Sequence, residues 1–168
     1  MKRKARSART VAIIGTGLIG TSVGLALRRA SKGTRIIGYD RRASVARVAR
    51  RRGALTSIAP SLAAAVRAAD ITVVAVPLAA VIELVPRVLK HAHAGSLVID
   101  VAGLKTPVLA AATPLLAKKN SAGFCGGHPL AGRERGGPDA AASDLFQGRP
   151  FALCVPKQAG ESAIVMRA

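Results

Sequence analysis

Aromatic and acidic residues are the scarce components of this 168-residue chain. It has no tryptophan, one tyrosine and three phenylalanines, so it offers no row of rings on which single-stranded nucleic acid could stack. It sets 8 Asp and Glu against 26 Lys and Arg, a formal charge of +18. A field of that sign draws anions: nucleotides, carboxylates, nucleic acid. A basic domain is the usual footprint of nucleic-acid binding. Here zinc-finger spacing is absent, and much of the arginine lies on faces that read as solvated helix surface, so no nucleic-acid partner is expected. The two cysteines, Cys125 and Cys154, fit no metal-ligand spacing. No metal is expected, and both read as buried strand residues in a reducing cytoplasm. Among the three histidines, His91 and His93 form an H-x-H pair at a helix end. With no carboxylate or thiol nearby in sequence, they read as a solvated terminus.

Long apolar runs are also lacking. The run that follows the basic head M-K-R-K-A-R-S-A-R-T stops at Arg28, short of a membrane span, and no membrane partner is expected. A basic head before an apolar run imitates a signal peptide, but the glycines at 15, 17 and 20 have a better explanation. Half the residues are apolar, and the length suits one domain with a real core, dominated by alanine rather than by rings.

V-A-I-I-G (11–15) reads as a short buried strand, and L-I-G-T-S-V-G-L-A-L-R-R-A (18–30) as a helix with small residues on one face. Between them lies Gly15-x-Gly17-x-x-Gly20. The first glycine serves a tight turn, the second close approach to a pyrophosphate, the third packing of helix on strand. Leu18 and Ile19 open the helix, whose free N–H groups and positive dipole end face the phosphates. A second strand, R-I-I-G-Y-D (35–40), ends in Asp40, placed to bind the ribose hydroxyls of NAD and to repel a 2′-phosphate. Arg41 and Arg42 can accept that phosphate or stack on adenine. NAD is the expected cofactor, with NADP the alternative.

The pattern repeats. A helix over 43–52 ends in arginines that suit its dipole and need no ligand. Helices are expected over 61–69, 81–90 (kinked at Pro86) and 107–116, and strands over 71–76, 96–100 and 122–127. Alternation of this kind means βαβ units: an α/β, Rossmann-like, doubly wound, mostly parallel sheet. Ligands then sit at the carboxyl ends of the strands. Val76 and Pro77, Asp100 and His128 fall there, as do the Gly15 loop and Asp40. G-G-H-P-L-A-G (126–132) reads as a tight loop in which Pro129 restricts His128 to extended conformations.

These segments make the chain resemble the nucleotide-binding domain of prephenate/arogenate (cyclohexadienyl) dehydrogenases. The resemblance runs from Val11 to about Val155. It rests on V-A-I-I-G-T-G-L-I-G, I-I-G-Y-D-R, V-A-V-P, I-D-V-A-G-L-K, and above all G-G-H-P-L-A-G-R-E-R-G-G followed by L-F-Q-G-R. It implies NAD(P)-dependent oxidation of prephenate or arogenate with loss of CO2, on the route to tyrosine. It also implies His128 as general base, a role that an imidazole suits, and Glu134 beside it, ordering the site. Many family members have a serine where Gly103 stands, which positions the substrate hydroxyl. Lys105 could neutralise anionic ligands or be a surface lysine at a helix start.

The expected organisation is a basic tail over 1–9, a dinucleotide-binding domain over 10–157, and the start of a truncated helical segment over 158–168. The family's helical, homodimerising domain would lie beyond it. The competing readings are an NAD-binding module without turnover, a basic nucleic-acid-binding protein, and a related reductase acting on imines or hydroxy acids.

Overall fold

In the first strand, Val11 and Ile13 face one side of the sheet and Ala12 and Ile14 the other, the period-two alternation of a strand covered on both faces. The computed structural model describes residues 9–117, 121–156 and the backbone of 165–167. In chain order the elements are β1 (Thr10–Ile14), α1 (Leu18–Ala30), β2 (Arg35–Tyr39), α2 (Ala43–Arg51), β3 (Ser57–Ile58), α3 (Leu62–Arg67) and β4 (Ile71–Val74). They continue with α4 (Leu78–His91), β5 (Leu97–Asp100), α5 (Thr106–Leu116), β6 (Gly123–Pro129), a 3-10 turn (Pro138–Ala140), β7 (Pro150–Cys154) and β8 (Val165–Arg167).

The sheet order is β3-β2-β1-β4-β5-β6-β7-β8. Pairing is parallel through β6 and antiparallel from there to β7 and β8. The expected Rossmann-like, doubly wound sheet is therefore present. Val11, Ile13, Ile36 and Val73 pack with Ala49, Ala54 and Leu55 on the α1 and α2 side. Ala12, Ile14, Val74 and Val98 pack with Val66, Val81, Val85 and Val108 of α3, α4 and α5 on the other. Each fully buried Val or Ile contributes about 1.5–3 kcal/mol. With so few rings, the core rests on many such small terms. The order reverses at β1, which has β2 on one side and β4 on the other. That switch opens the crevice where doubly wound sheets bind ligands.

Four local expectations need correction. Helix α4 begins at Leu78, not at 81, because Pro77, with φ −55°, presents the helix start directly. His128 belongs to β6 rather than to a loop: its neighbours Gly126 to Pro129 pair with Cys154 to Phe151. Local glycine and proline signals pointed to a loop, and the long-range partner strand overrode them. β3 carries no strong local signal and is not among the expected elements, and of β7 (Pro150–Cys154) only Cys154 reads as a strand residue from sequence. Within the expected helical start at 158–168, Val165–Arg167 forms a strand on β7; the rest of that segment, like the tail before residue 9, lies outside the described residues.

Candidate active site

The loop after β1 turns tightly and leaves the start of α1 open. Gly15 has φ +88°, and its amide donates to Tyr39 O at 2.8 Å. A Cβ there would stand 2.5 Å from Ala75 O and 2.8 Å from Val76 Cγ1, so only glycine lets this turn lie against the end of β4. A Cβ on Gly20 would collide with Gly15 O, while one on Gly17 would meet nothing within 4 Å. Protein packing thus requires Gly15 and Gly20 but not Gly17. The open space at Gly17 is where a ligand can approach. Helix α1 starts there with no side-chain cap and no acidic residue in its first turn. Its free N–H groups suit a pyrophosphate. Leu18 and Ile19, half-buried, form its first turn.

Asp40, just past β2, is tied into the same loop. Its Oδ2 accepts from Thr16 N at 2.8 Å and Thr16 Oγ1 at 3.2 Å, and its Oδ1 from Arg42 N at 2.9 Å. Thr16 is fully buried, and its carbonyl accepts from Thr21 Oγ1. A carboxylate oxygen can accept about two bonds, so one position on Oδ1 stays free for a ribose hydroxyl. Arg41 and Arg42 are exposed beside it.

The second cluster lies at the ends of β5 and β6. His128 is half-buried, and a Cβ on Gly103 would stand 3.5 Å from its Nε2. Gly103 itself is exposed, so the gap between the two faces solvent. Beneath them Asp100 is fully buried. Its Oδ2 accepts from Ala102 N at 2.9 Å and pairs with Lys105 Nζ, and the same ammonium donates to Gly127 O at 2.6 Å. Lys105 is thus neither a free cation nor a surface lysine; its side chain is 14% exposed. The bare G-G-H stretch has a packing reason. A Cβ on Gly126 would meet Lys105 Cδ at 2.9 Å, and one on Gly127 would meet Asp100 O at 2.8 Å and the Phe151 ring at 2.9 Å.

Glu134 is exposed on the segment leaving β6, and no hydrogen bond or ion pair joins it to His128 among the described residues. A cleft of about 420 Å³ opens along that segment, with Leu130, Arg133, Asp144, Gln147 and Arg149 in its lining. The segment is anchored further on: Arg52 donates to Pro138 O, and Ala142 N donates to Ser22 Oγ at 3.1 Å. Arg52, read from sequence as a dipole partner of α2 alone, also holds the loop over the nucleotide half. Arg133, Arg149 and the role of Asp100 escaped the sequence reading, since nothing local links residues so far apart in the chain.

A family model for the prephenate dehydrogenase nucleotide-binding domain matches residues 23–166. The chain belongs to that family. It is 40% identical over 162 residues to a protein of Streptomyces niveus named a probable prephenate dehydrogenase, covering 95% of this chain and 41% of that one. It is 30% identical over 159 residues to the prephenate dehydrogenase of Bacillus subtilis, covering 92% and 42%. The chain therefore spans about two-fifths of the length of these relatives. Among solved structures it is similar to the Synechocystis arogenate dehydrogenase (TM-score 0.77, 30% identity, 89% of this chain and 53% of that one). It is also similar to a prephenate dehydrogenase of A. aeolicus in complex with hydroxyphenyl propionate and NAD+ (TM-score 0.78, 26% identity, 89% and 51%).

The remaining expected positions of this nucleotide-binding domain lie as follows. Val76 is half-buried against the Gly15 turn, and Pro77 is exposed as the cap of α4. His93 is not simply solvated: its Nε2 lies 3.1 Å from Ala69 O and its Nδ1 2.9 Å from Ala94 O. No group of three or more metal-ligating side chains occurs among the described residues. Cys125 and Cys154 are free, on β6 and β7, and half-buried rather than buried. Burial pushes the Cys125 thiol above its ordinary value. No helix among the described residues is long and apolar enough to cross a membrane.

Proposed function

We propose that this domain serves NAD-dependent oxidative decarboxylation of prephenate, or of arogenate, on the route to tyrosine. The observation that carries the reading is His128 at the carboxyl end of β6, facing Gly103 across a solvent-open gap on the same sheet edge as the Gly15 loop. From β1 to β6 is three strand spacings, about 14 Å, a distance a dinucleotide spans when its pyrophosphate lies on α1 and its adenosine end on Asp40. When bound, the nicotinamide accepts the hydride from the ring carbon that bears the hydroxyl.

The chain's own residues do the rest. The helix α1 N-terminus and Gly17 hold the phosphates. Asp40 takes a ribose hydroxyl and opposes a 2′-phosphate, which favours NAD over NADP. His128 takes the hydroxyl proton as that carbon becomes a carbonyl. The carbon–carboxylate bond then breaks, CO2 leaves, and its electron pair completes the aromatic ring. The exposed Arg133 and Arg149 of the neighbouring cleft offer positive charge to the substrate carboxylates, and Glu134, exposed on the same segment, would help order the site. A cytoplasmic location and a homodimer formed through a helical domain belong to the same reading.

The test is NADH formation from NAD with prephenate and, separately, arogenate, for the chain and for His128→Asn. A general base contributes about 10²–10⁴-fold, so the variant is expected to lose that much while binding NAD as before. Folded protein that binds NAD and turns over neither substrate would instead make this chain a binding module.

A further inference from the structure

We propose that Lys105 and Asp100 act together as a clamp that positions His128, rather than Lys105 serving as an anchor for substrate carboxylates. The proposal rests on the reading of His128 as the base. Asp100 sits at the end of β5, between β4 and β6, and is fully buried. Its Oδ2 holds two things at once. The Ala102 amide ties it to the turn that carries Gly103. The Lys105 ammonium ties it to Gly127 O, the carbonyl of the peptide that leads into His128. One carboxylate–ammonium–carbonyl chain therefore spans both walls of the gap between Gly103 and the imidazole.

Two further features make sense only with the clamp. Lys105 is the N-terminal cap of α5, the positive end of the helix dipole, where a cation is disfavoured without an acidic partner. Gly126 lies where its missing Cβ clears the Lys105 stem. The other carboxylate oxygen, Oδ1, has no protein partner among the described residues, so the ammonium is the main compensation for a buried charge. Two of the three ammonium donors are used on the protein. Held this way, Lys105 orients the base, and misplacing a reacting group by about 1 Å can cost about 10²-fold in rate.

The test compares the chain with the double variant Asp100→Asn/Lys105→Met, which removes both buried charges together. Readouts are kcat and KM for prephenate, NAD affinity, and the imidazole NMR signals of His128, assigned with His128→Asn. The expected result is unchanged NAD affinity, kcat lower by about 10²-fold with KM little changed, and His128 ring signals that broaden or split. A higher KM at unchanged kcat would make Lys105 a substrate anchor and overturn the proposal. So would kcat and ring signals that both match the parent. If the double variant does not fold, Gly126→Ala carries the same readouts, because it displaces the Lys105 stem without altering charge. Should the parent chain form no NADH, the functional reading of this chain fails, and the His128 ring signals alone decide the clamp.

Discussion

Gly103 and His128 face one another across the gap at the ends of β5 and β6, with 3.5 Å between the position of a Cβ on Gly103 and the imidazole Nε2. A serine at 103 would bring its hydroxyl within hydrogen-bond range of that nitrogen. Gly103 has no positive φ and is exposed, so Gly103→Ser is expected to leave stability within about 0.5 kcal/mol. A hydroxyl that orders base and substrate together should raise kcat/KM by about fivefold, equivalent to one net hydrogen bond of ~1 kcal/mol. Thermal melting and initial rates check both parts. A folded variant with no gain would show that another group already holds the substrate hydroxyl.

Gly17 and Gly20 should separate binding from folding. Gly20→Ala drives a methyl into Gly15 O and is expected to destabilise the domain by about 1–3 kcal/mol, as overpacking does. Gly17→Ala enters open space, so melting should hardly move. NAD affinity should fall by at least tenfold, ~1.4 kcal/mol, because the methyl occupies the phosphate approach. Melting curves alongside NAD titration distinguish the two, and similar phenotypes for both variants would contradict the assignment of the open space to the cofactor.

Asp40→Asn bears on cofactor choice. The carboxylate accepts from Thr16 N, Thr16 Oγ1 and Arg42 N. An amide places a donor against one of those donors, at a cost of about 1–3 kcal/mol for the unsatisfied group. It also removes the charge that opposes a 2′-phosphate while Arg41 and Arg42 remain exposed. Calorimetric titration should show weaker NAD binding and a ratio of affinities shifted toward NADP. A ratio that stays put would mean that Asp40 serves the loop alone.

Cys125 gives a pH-dependent prediction. Burial favours its neutral thiol and raises its pKa; less thiolate is present at a given pH than on a free thiol, and the thiolate is the nucleophile. Alkylation of Cys125 by iodoacetamide, followed by mass spectrometry of its peptide, should run slower than that of a small free thiol at mildly alkaline pH. The sign for stability follows. A folded-state pKa above the unfolded one contributes stability that is present at neutral pH and is lost as pH rises through the folded value. Alkylation as fast as that of the free thiol would rule out the burial effect.

Much of the nucleotide half was legible in the residues. Gly15, Gly17 and Gly20 between a strand and a helix, and Asp40 at the next strand end, are local patterns. Their spacing is readable in short segments, although the contacts that require Gly15 (Ala75 O) and hold Asp40 (Thr16 N) come from neighbouring strands. Most of the strand-and-helix alternation was legible in the hydrophobic period of each segment, apart from the short β3, which is not among the expected elements, and α4, where Pro77 moved the start. At β6 the local signal misled. G-G-H-P reads as a loop until β7 supplies hydrogen bonds across Gly126 to Pro129.

The sequence by itself determined the doubly wound fold, the glycine turn after β1 and the place of His128 near a strand end, because hydrophobic period, glycine spacing and strand-end position are properties of short segments. Tertiary structure alone decided what surrounds the histidine. Lys105 reaches Gly127 O, and Gly103 faces Nε2, because parallel pairing sets β5 beside β6. Arg52 holds Pro138 O across 86 positions of chain. Such partners meet through the sheet order, and no spacing along the chain encodes which strand end a side chain will find beside it.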